Sequence, residues 1–184
     1  MPDRMAGGGG QERPHRAFII LVKEIRLITE PLIEKATARD VDSIYKIIQY
    51  YSGKDVILER TRDDILTSLD NFYVARTGSE VIGIISYYDY GDHLKEIRSL
   101  GVKKKFVRNG IGSSLLRHVV GELKSQGDPR IFVLTYTPEF FQKNGFVVIP
   151  MNSLPEKIFK DCFSCKNKFS CSEIALVHHT AGTL

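Results

Sequence analysis

Glu96-Ile-Arg-Ser-Leu-Gly-Val-Lys-Lys-Lys-Phe-Val-Arg-Asn-Gly-Ile-Gly-Ser-Ser-Leu-Leu116 is the stretch of this 184-residue chain in which the hydrophobic period switches from that of a strand to that of a helix. A strand closes near Val102 and a basic turn follows. Beyond it, Leu115, Leu116, Val119, Val120 and Leu123 recur at helical spacing. Asn109-Gly-Ile-Gly-Ser113 opens that helix. Glycine lets a backbone come close to a ligand, and the first amides of a helix have no acceptor within it. Such a helix start suits an anion, a pyrophosphate above all. Lys103, Lys104, Lys105 and Arg108 place positive charge beside it. The plainer alternative is a tight turn with a solvated lysine run. No Gly-Lys-Ser/Thr follows, so this is not a Walker loop. The preceding strands do not start a βαβ unit, so it is not a dinucleotide fingerprint either.

Working outward, Phe72–Arg76, Val81–Tyr88 and His93–Val102 read as three strands joined by turns at Thr77-Gly78-Ser79 and Tyr90-Gly91-Asp92, an antiparallel meander. Before them, Leu32–Ala36 reads as a strand. Val41, Ile44, Tyr45, Ile47 and Ile48 mark a helix capped from Thr37-Ala-Arg-Asp40, and Thr61-Arg-Asp-Asp64 opens a second, short helix. After the glycine loop come the helix stopped by Gly127-Asp-Pro129, a strand at Ile131–Thr135, a short helix from Pro138, and a strand at Phe146–Ile149. Leu154–Lys160 reads as a helical turn and Ile174–His178 as a closing strand.

Composition narrows the class. Hydrophobic residues make up 42% and charged residues 26% of the chain, which excludes wholesale disorder, collagen and a multi-span membrane protein. A net charge of +4 with no basic stripe gives no reason to expect nucleic acid. Phe18–Val22 is too short for a signal-peptide core or a span, so a cytoplasmic protein without membrane association is expected. Residues 1–29 read as an N-terminal extension, disordered in part around Gly7–Gly10, whose apolar arm offers a surface for pairing two subunits as a homodimer. Residues 30–184 read as one domain with a distinct Cys-rich tail over 151–184.

The order of meander, glycine loop, helix, strand, short helix and strand resembles the GNAT acetyltransferase family over Leu32–Ile149. Val102 with Arg108-Asn-Gly-Ile-Gly112 is similar to that family's acetyl-CoA loop, and Phe140-Phe-Gln-Lys-Asn-Gly-Phe146 to its aromatic segment about 30 residues on. Glu96-Ile-Arg-Ser-Leu100, Leu134-Thr135 and the tail Leu154–Cys165 through Cys171–Ala175 resemble short-form N-acetylglutamate synthases, single-domain amino-acid N-acetyltransferases of arginine biosynthesis. The resemblance implies an α/β (α+β) GNAT fold, with a mixed, mostly antiparallel central sheet flanked by helices. It implies acetyl-CoA as co-substrate and an amino acid, L-glutamate, as acceptor, in a direct ternary-complex transfer. It places the thioester arm on the Leu100, Gly101 and Val102 backbone and the pyrophosphate on Arg108, Asn109, Gly110, Ile111, Gly112 and Ser113. The larger synthases carry an arginine-sensing domain, for which this chain is too short. Two positions depart from the family: Val107 replaces the usual Gln or Arg, and Phe141 replaces the tyrosine that protonates the departing thiolate. These departures keep open a non-catalytic CoA-binding module, or an acetyltransferase for another amine.

The residues themselves suggest the chemistry. Glu96 and Arg98 lie two apart on a strand and share a face, giving a candidate general base and a candidate carboxylate clamp, or simply an ion pair on an exposed strand. Tyr136, just past the next strand, is the candidate acid, with a packing tyrosine as the alternative. The five histidines form no nucleophilic triad, and His93 and His118 read as surface residues. Cys162-x2-Cys165 is half of a zinc-site pattern; Cys171 and His178 or His179 are within chain reach for a structural zinc. The alternative is reduced thiols packed under the tail. Lys157 and Lys160 would help hold an acidic acceptor if the tail covers that side of the site.

Overall fold

The computed structural model describes residues 31–54, 56–91, 93–127, 129–163, 165 and 171–178. The extension over 1–29, with its disorder and dimer readings, lies outside the described residues, as does His179. The elements run β1 (Leu32–Lys35), α1 (Val41–Ser52), α2 (Arg62–Thr67), β2 (Phe72–Thr77), β3 (Glu80–Asp89), β4 (Leu94–Val102), α3 (Ile111–Ser125), β5 (Arg130–Thr135), α4 (Pro138–Gln142), β6 (Phe146–Val148), α5 (Pro155–Lys157) and β7 (Ile174–His178). A π-helical turn, Ile158–Cys162, continues α5.

The seven strands form one sheet in the order β1-β2-β3-β4-β5-β7-β6. All neighbours are antiparallel except β4 and β5. That parallel step needs a crossover, and α3 supplies it. Both faces of the sheet are covered, so β2 and β3 are nearly continuous apolar runs. Phe72, Val74, Val81 and Ile84 turn toward Ile44, Ile47 and Ile48 of α1 and Ile65 of α2. Tyr73, Ala75, Ile82 and Ile85 turn the other way, toward Leu115, Leu116, Val119 and Leu123 of α3. The period-2 sheet and the period-3.6 helices thus interlock without a polar layer between them.

Local chemistry sets the ends. Thr61 accepts a hydrogen bond from the Asp64 amide, and the Asp64 carboxylate accepts from the Thr61 amide and hydroxyl, a reciprocal cap that starts α2 where the sequence predicts. Asp40 does the same for Thr37 and is held from β2 by Arg76 at 2.8 Å. The meander expected from the sequence is present, with one difference. In β4, Ser99 and Leu100 together face Ile85 alone, because Ile84 pairs with Gly101 and Ser86 with Arg98. This is a β-bulge, and Ser99 sits at φ 50° within it. The parallel ladder between β4 and β5 spans only Leu94–Glu96 against Arg130–Phe132. Beyond it the bulged β4 and the straight β5 part, and the space between them is the site.

Candidate active site

A cleft of about 590 Å³ opens where β4 and β5 diverge, between the bulge, the start of α3, α4 and the segment before α2. Leu100, Gly101 and Val102 line one wall, and Gly110, Ile111, Gly112 and Ser113 line its floor. Tyr51 of α1 donates to the Val102 carbonyl at 2.5 Å, which fixes the end of β4. Arg108 and Gly110 both adopt left-handed backbone, φ 67° and 77°, so the chain doubles back before α3 begins. The first intrahelical bond at this turn is Ser114 N–H to Gly110 O at 2.9 Å, leaving the Ile111, Gly112 and Ser113 amides without an intrahelical acceptor.

The fit of a CoA pyrophosphate is tested at Gly112. A β-carbon there would meet only the Phe140 ring, at 3.5 and 3.6 Å, and Val102 at 3.8 Å. The position is bare because it faces the cleft, and anything larger than a methyl group would occupy the cradle. The free amides, the left-handed turn and the 15-residue helix behind them suit a diphosphate. The basic turn contributes less than the sequence suggests. Lys103 and Lys105 both pair with Glu80, at 2.9 and 3.0 Å. Arg108 has no carboxylate partner among the described residues and lines the cleft, whereas Asn109 does not line it. Phe141 is buried edge-on against Phe146, with ring centroids 5.5 Å apart, so it belongs to the core where the core borders the cleft, and it has no proton to give there.

At the other end the cleft reaches Glu96, Arg98 and Lys157. Glu96 is 3% exposed and Lys157 6%. Glu96 Oε2 accepts from Arg98 Nε at 2.7 Å, and Oε1 meets Lys157 Nζ at 2.8 Å. Asp161, on the π-helical turn, accepts from Arg98 Nη2 at 2.5 Å and from Lys157 Nζ at 2.9 Å. The Tyr90 hydroxyl lies 3.1 Å from each carboxylate. The predicted Glu96–Arg98 pair therefore exists, but at a buried cleft end rather than on an exposed strand. Arg98 is already satisfied by two protein carboxylates, with the Tyr88 ring 4.4 Å from its guanidinium carbon. Lys157 is likewise committed to Glu96 and Asp161, and Lys160 lies over the Tyr88 ring at 4.9 Å.

Arg60 was missed by the sequence reading. It lines the cleft and forms no ion pair or hydrogen bond among the described residues; its guanidinium carbon sits 5.7 Å from the Phe72 ring centroid. Burial, and next the nearby Arg98 charge, lower its pKa, while Asp64 and Glu96 oppose the shift; an arginine remains protonated regardless. A half-buried cation without a carboxylate of its own is a ready receptor for a substrate carboxylate. The only local signal was its place just before the Thr61 capping box, while the neighbouring Arg62 is taken by Asp42 at 2.7 Å.

Two sequence expectations do not come together. Tyr136 is 46% exposed and is not on the cleft wall, although Thr135 and Thr137 on either side of it are. Among the described residues no three His, Cys, Asp or Glu side chains are placed to hold a metal ion. Cys165 and Cys171 are exposed thiols, and His178 packs edge-on against Phe146, with ring centroids 5.1 Å apart. Residues 166–170 between those cysteines lie outside the described residues.

Comparison with known proteins agrees with this geometry. Residues 68–148 match the acetyltransferase (GNAT) domain model. The chain is 34% identical over 145 residues to an uncharacterized N-acetyltransferase of Chlorobaculum tepidum, covering 79% of this chain and 94% of that one. It is 26% identical over 134 residues to an amino-acid acetyltransferase of Mycobacterium tuberculosis, covering 71% and 76%. The N-acetylglutamate synthase of Neisseria gonorrhoeae, solved with coenzyme A and N-acetyl-glutamate, superposes with a TM-score of 0.73 at 21% identity, over 83% of this chain and 36% of that one, which establishes the likeness of fold. No helix among the described residues is long and apolar enough to cross a membrane. With a split β4–β5 pair, a bulged β4 and a glycine-opened α3 around one cleft, and a close N-acetyltransferase relative along most of its length, the chain belongs to the GNAT acetyltransferase family.

Proposed function

We propose that the protein transfers the acetyl group of acetyl-CoA to the α-amine of an amino acid, L-glutamate, by direct attack in a ternary complex. One observation carries this reading: a buried carboxylate, Glu96, and a guanidinium, Arg60, that pairs with no carboxylate among the described residues line the same cleft as the α3 start and the bulged end of β4. The α3 amides and Arg108 hold the pyrophosphate. The backbone of Leu100–Val102 runs beside the thioester, where an N–H donates to the carbonyl oxygen as it becomes anionic. Arg60 draws in a carboxylate of the acceptor. Glu96 takes one proton from the acceptor ammonium, directly or through a water. The freed amine attacks the thioester carbon, the C–N bond forms and the C–S bond breaks with CoA leaving as the thiolate, and the second proton passes from the nitrogen to that thiolate, directly or through a water, so that CoA is released as the thiol. A thiol is acidic enough near neutral pH that no side-chain acid is required, in keeping with Phe141 in the core and Tyr136 off the wall.

Arg60 also argues against polyamine acceptors, which would bring cations to a cation. The test is release of free CoA from acetyl-CoA with a single amine present. Glutamate is expected to give at least tenfold higher kcat/KM than spermidine. Equal or lower turnover would overturn the acceptor assignment, and CoA binding without transfer to any amine would favour a non-catalytic module.

A further inference from the structure

Asp161 belongs to the tail, 65 residues beyond Glu96, yet it uses the same three donors as that base. Arg98 gives Nε to Glu96 at 2.7 Å and Nη2 to Asp161 at 2.5 Å. Lys157 reaches Glu96 at 2.8 Å and Asp161 at 2.9 Å. The Tyr90 hydroxyl accepts from Arg98 at 3.0 Å and lies 3.1 Å from both carboxylates. Lys157 and Asp161 are four residues apart on a helix whose last turn widens to π geometry, with Phe163 N–H bonded to Ile158 O at 2.9 Å. Glu96 and Asp161 thus face each other across a shared rail of two cations and a phenol.

We propose that Asp161 is a positioning residue for acetyl transfer, which divides Arg98, Lys157 and Tyr90 with Glu96 and so holds that carboxylate in place. The proposal rests on the reading of Glu96 as the base. The shared donors explain it. Without the Asp161 carboxylate, Arg98 Nη2 and Lys157 Nζ lose their second acceptor and are free to shift, and Glu96, which both of them hold, shifts with them. Arg60, from the segment before α2, and Glu173, ahead of β7, add one cation and one carboxyl near Glu96; burial raises the Glu173 pKa, the Lys157 charge opposes that and the Glu96 charge adds to it. Tyr88 of β3 reaches the cluster through its ring contacts with Arg98 and Lys160 and through a hydrogen bond with Lys160.

The test uses the full chain with acetyl-CoA and L-glutamate, reading kcat and both KM values. For Asp161→Asn, kcat is expected to fall about tenfold, with the KM for acetyl-CoA unchanged. Asp161→Glu, which keeps a carboxylate on the shared donors, recovers most of the loss, and it carries the test if the asparagine variant does not fold. In a Glu96→Gln background, Asp161→Asn has no further effect on kcat, because it acts through Glu96. An unchanged kcat in Asp161→Asn, or an equal loss with and without Glu96, overturns the proposal while leaving the base assignment intact. Wild-type kcat in Glu96→Gln alone removes the base assignment, and the proposal with it.

Discussion

Replacing Arg60 by methionine separates function from stability in one side chain. Methionine keeps much of the apolar stem and removes the charge. A hydrogen bond to a charged group contributes about 1.5–3 kcal/mol, and a two-pronged fork onto a carboxylate sits near the upper end after desolvation. Taking about 3 kcal/mol, and about 1.4 kcal/mol per tenfold, the loss is on the order of 100-fold in kcat/KM for glutamate. It should fall mainly in KM, because the contact exists in both the ground state and the transition state. Folding stability runs the other way. The guanidinium is partly buried beside Arg98 without a carboxylate partner, so its removal relieves desolvation and repulsion. The Phe72 ring contact that is lost is worth about 0.5–1 kcal/mol, so the two nearly cancel and Tm should stay within about 3 °C of the parent. Initial-rate kinetics by thiol release and a calorimetric scan on the same preparation read both numbers. Arg60→Lys, a point charge without the fork, should recover only part of the loss. An unchanged KM for glutamate in Arg60→Met would refute the carboxylate assignment, and a drop of more than about 8 °C would show that Arg60 is structural.

Four further outcomes follow from the geometry. Gly112→Trp fills the cradle beside Phe140 and Val102, so calorimetric affinity for acetyl-CoA should fall at least about 100-fold, whereas Gly112→Ala, with its nearest contact at 3.5 Å, should fold normally. Gly110→Val places a β-branched residue at φ 77° and should cost about 1–2 kcal/mol in urea unfolding, more than Gly110→Asn, since nothing else crowds the site. Leu115→Ala leaves a hole under β3 at a fully buried position and should cost about 2–5 kcal/mol in the same assay. Burial pushes the Asp40 carboxyl up, but its hydrogen bonds from Arg76 and Thr37 outweigh that and hold it below the ordinary 3.8. Its stabilisation is therefore complete above about pH 4 and is lost as pH falls through the lowered value. Asp40→Asn should narrow the gap in unfolding free energy between pH 6 and pH 3.

Most of the fold was legible because each element announces itself locally. The apolar spacing of α3, the Thr61-to-Asp64 cap and the turns at Gly78 and Gly91 are all events within a few residues. The pyrophosphate loop was legible for the same reason: Gly110 and Gly112 sit in the segment they shape. What stayed hidden is what only tertiary structure creates. A serine at φ 50° gives no warning of a bulge, since glycine is the usual marker. Arg60 is informative only once it is seen that no carboxylate among the described residues pairs with it. Asp161, Lys157 and Tyr90 gather on Glu96 from separate parts of the chain, and the sequence shows only that Glu96 and Arg98 share a face. Tyr136 is the opposite case: it lies just past the end of β5, where the sequence places it, but it does not line the cleft.

The short parallel ladder between β4 and β5 has a mechanical consequence. Three residue pairs fasten the β1–β4 half of the sheet to the β5–β7 half, at one end only. The free length behaves like a hinge with its leaves ajar, and an extended thioester arm slotted between them would act as a missing strand. Saturation with that arm should slow amide exchange along Leu100–Val102, whose backbone then gains hydrogen-bonding partners, while leaving the already fastened Leu94–Glu96 rung almost unchanged.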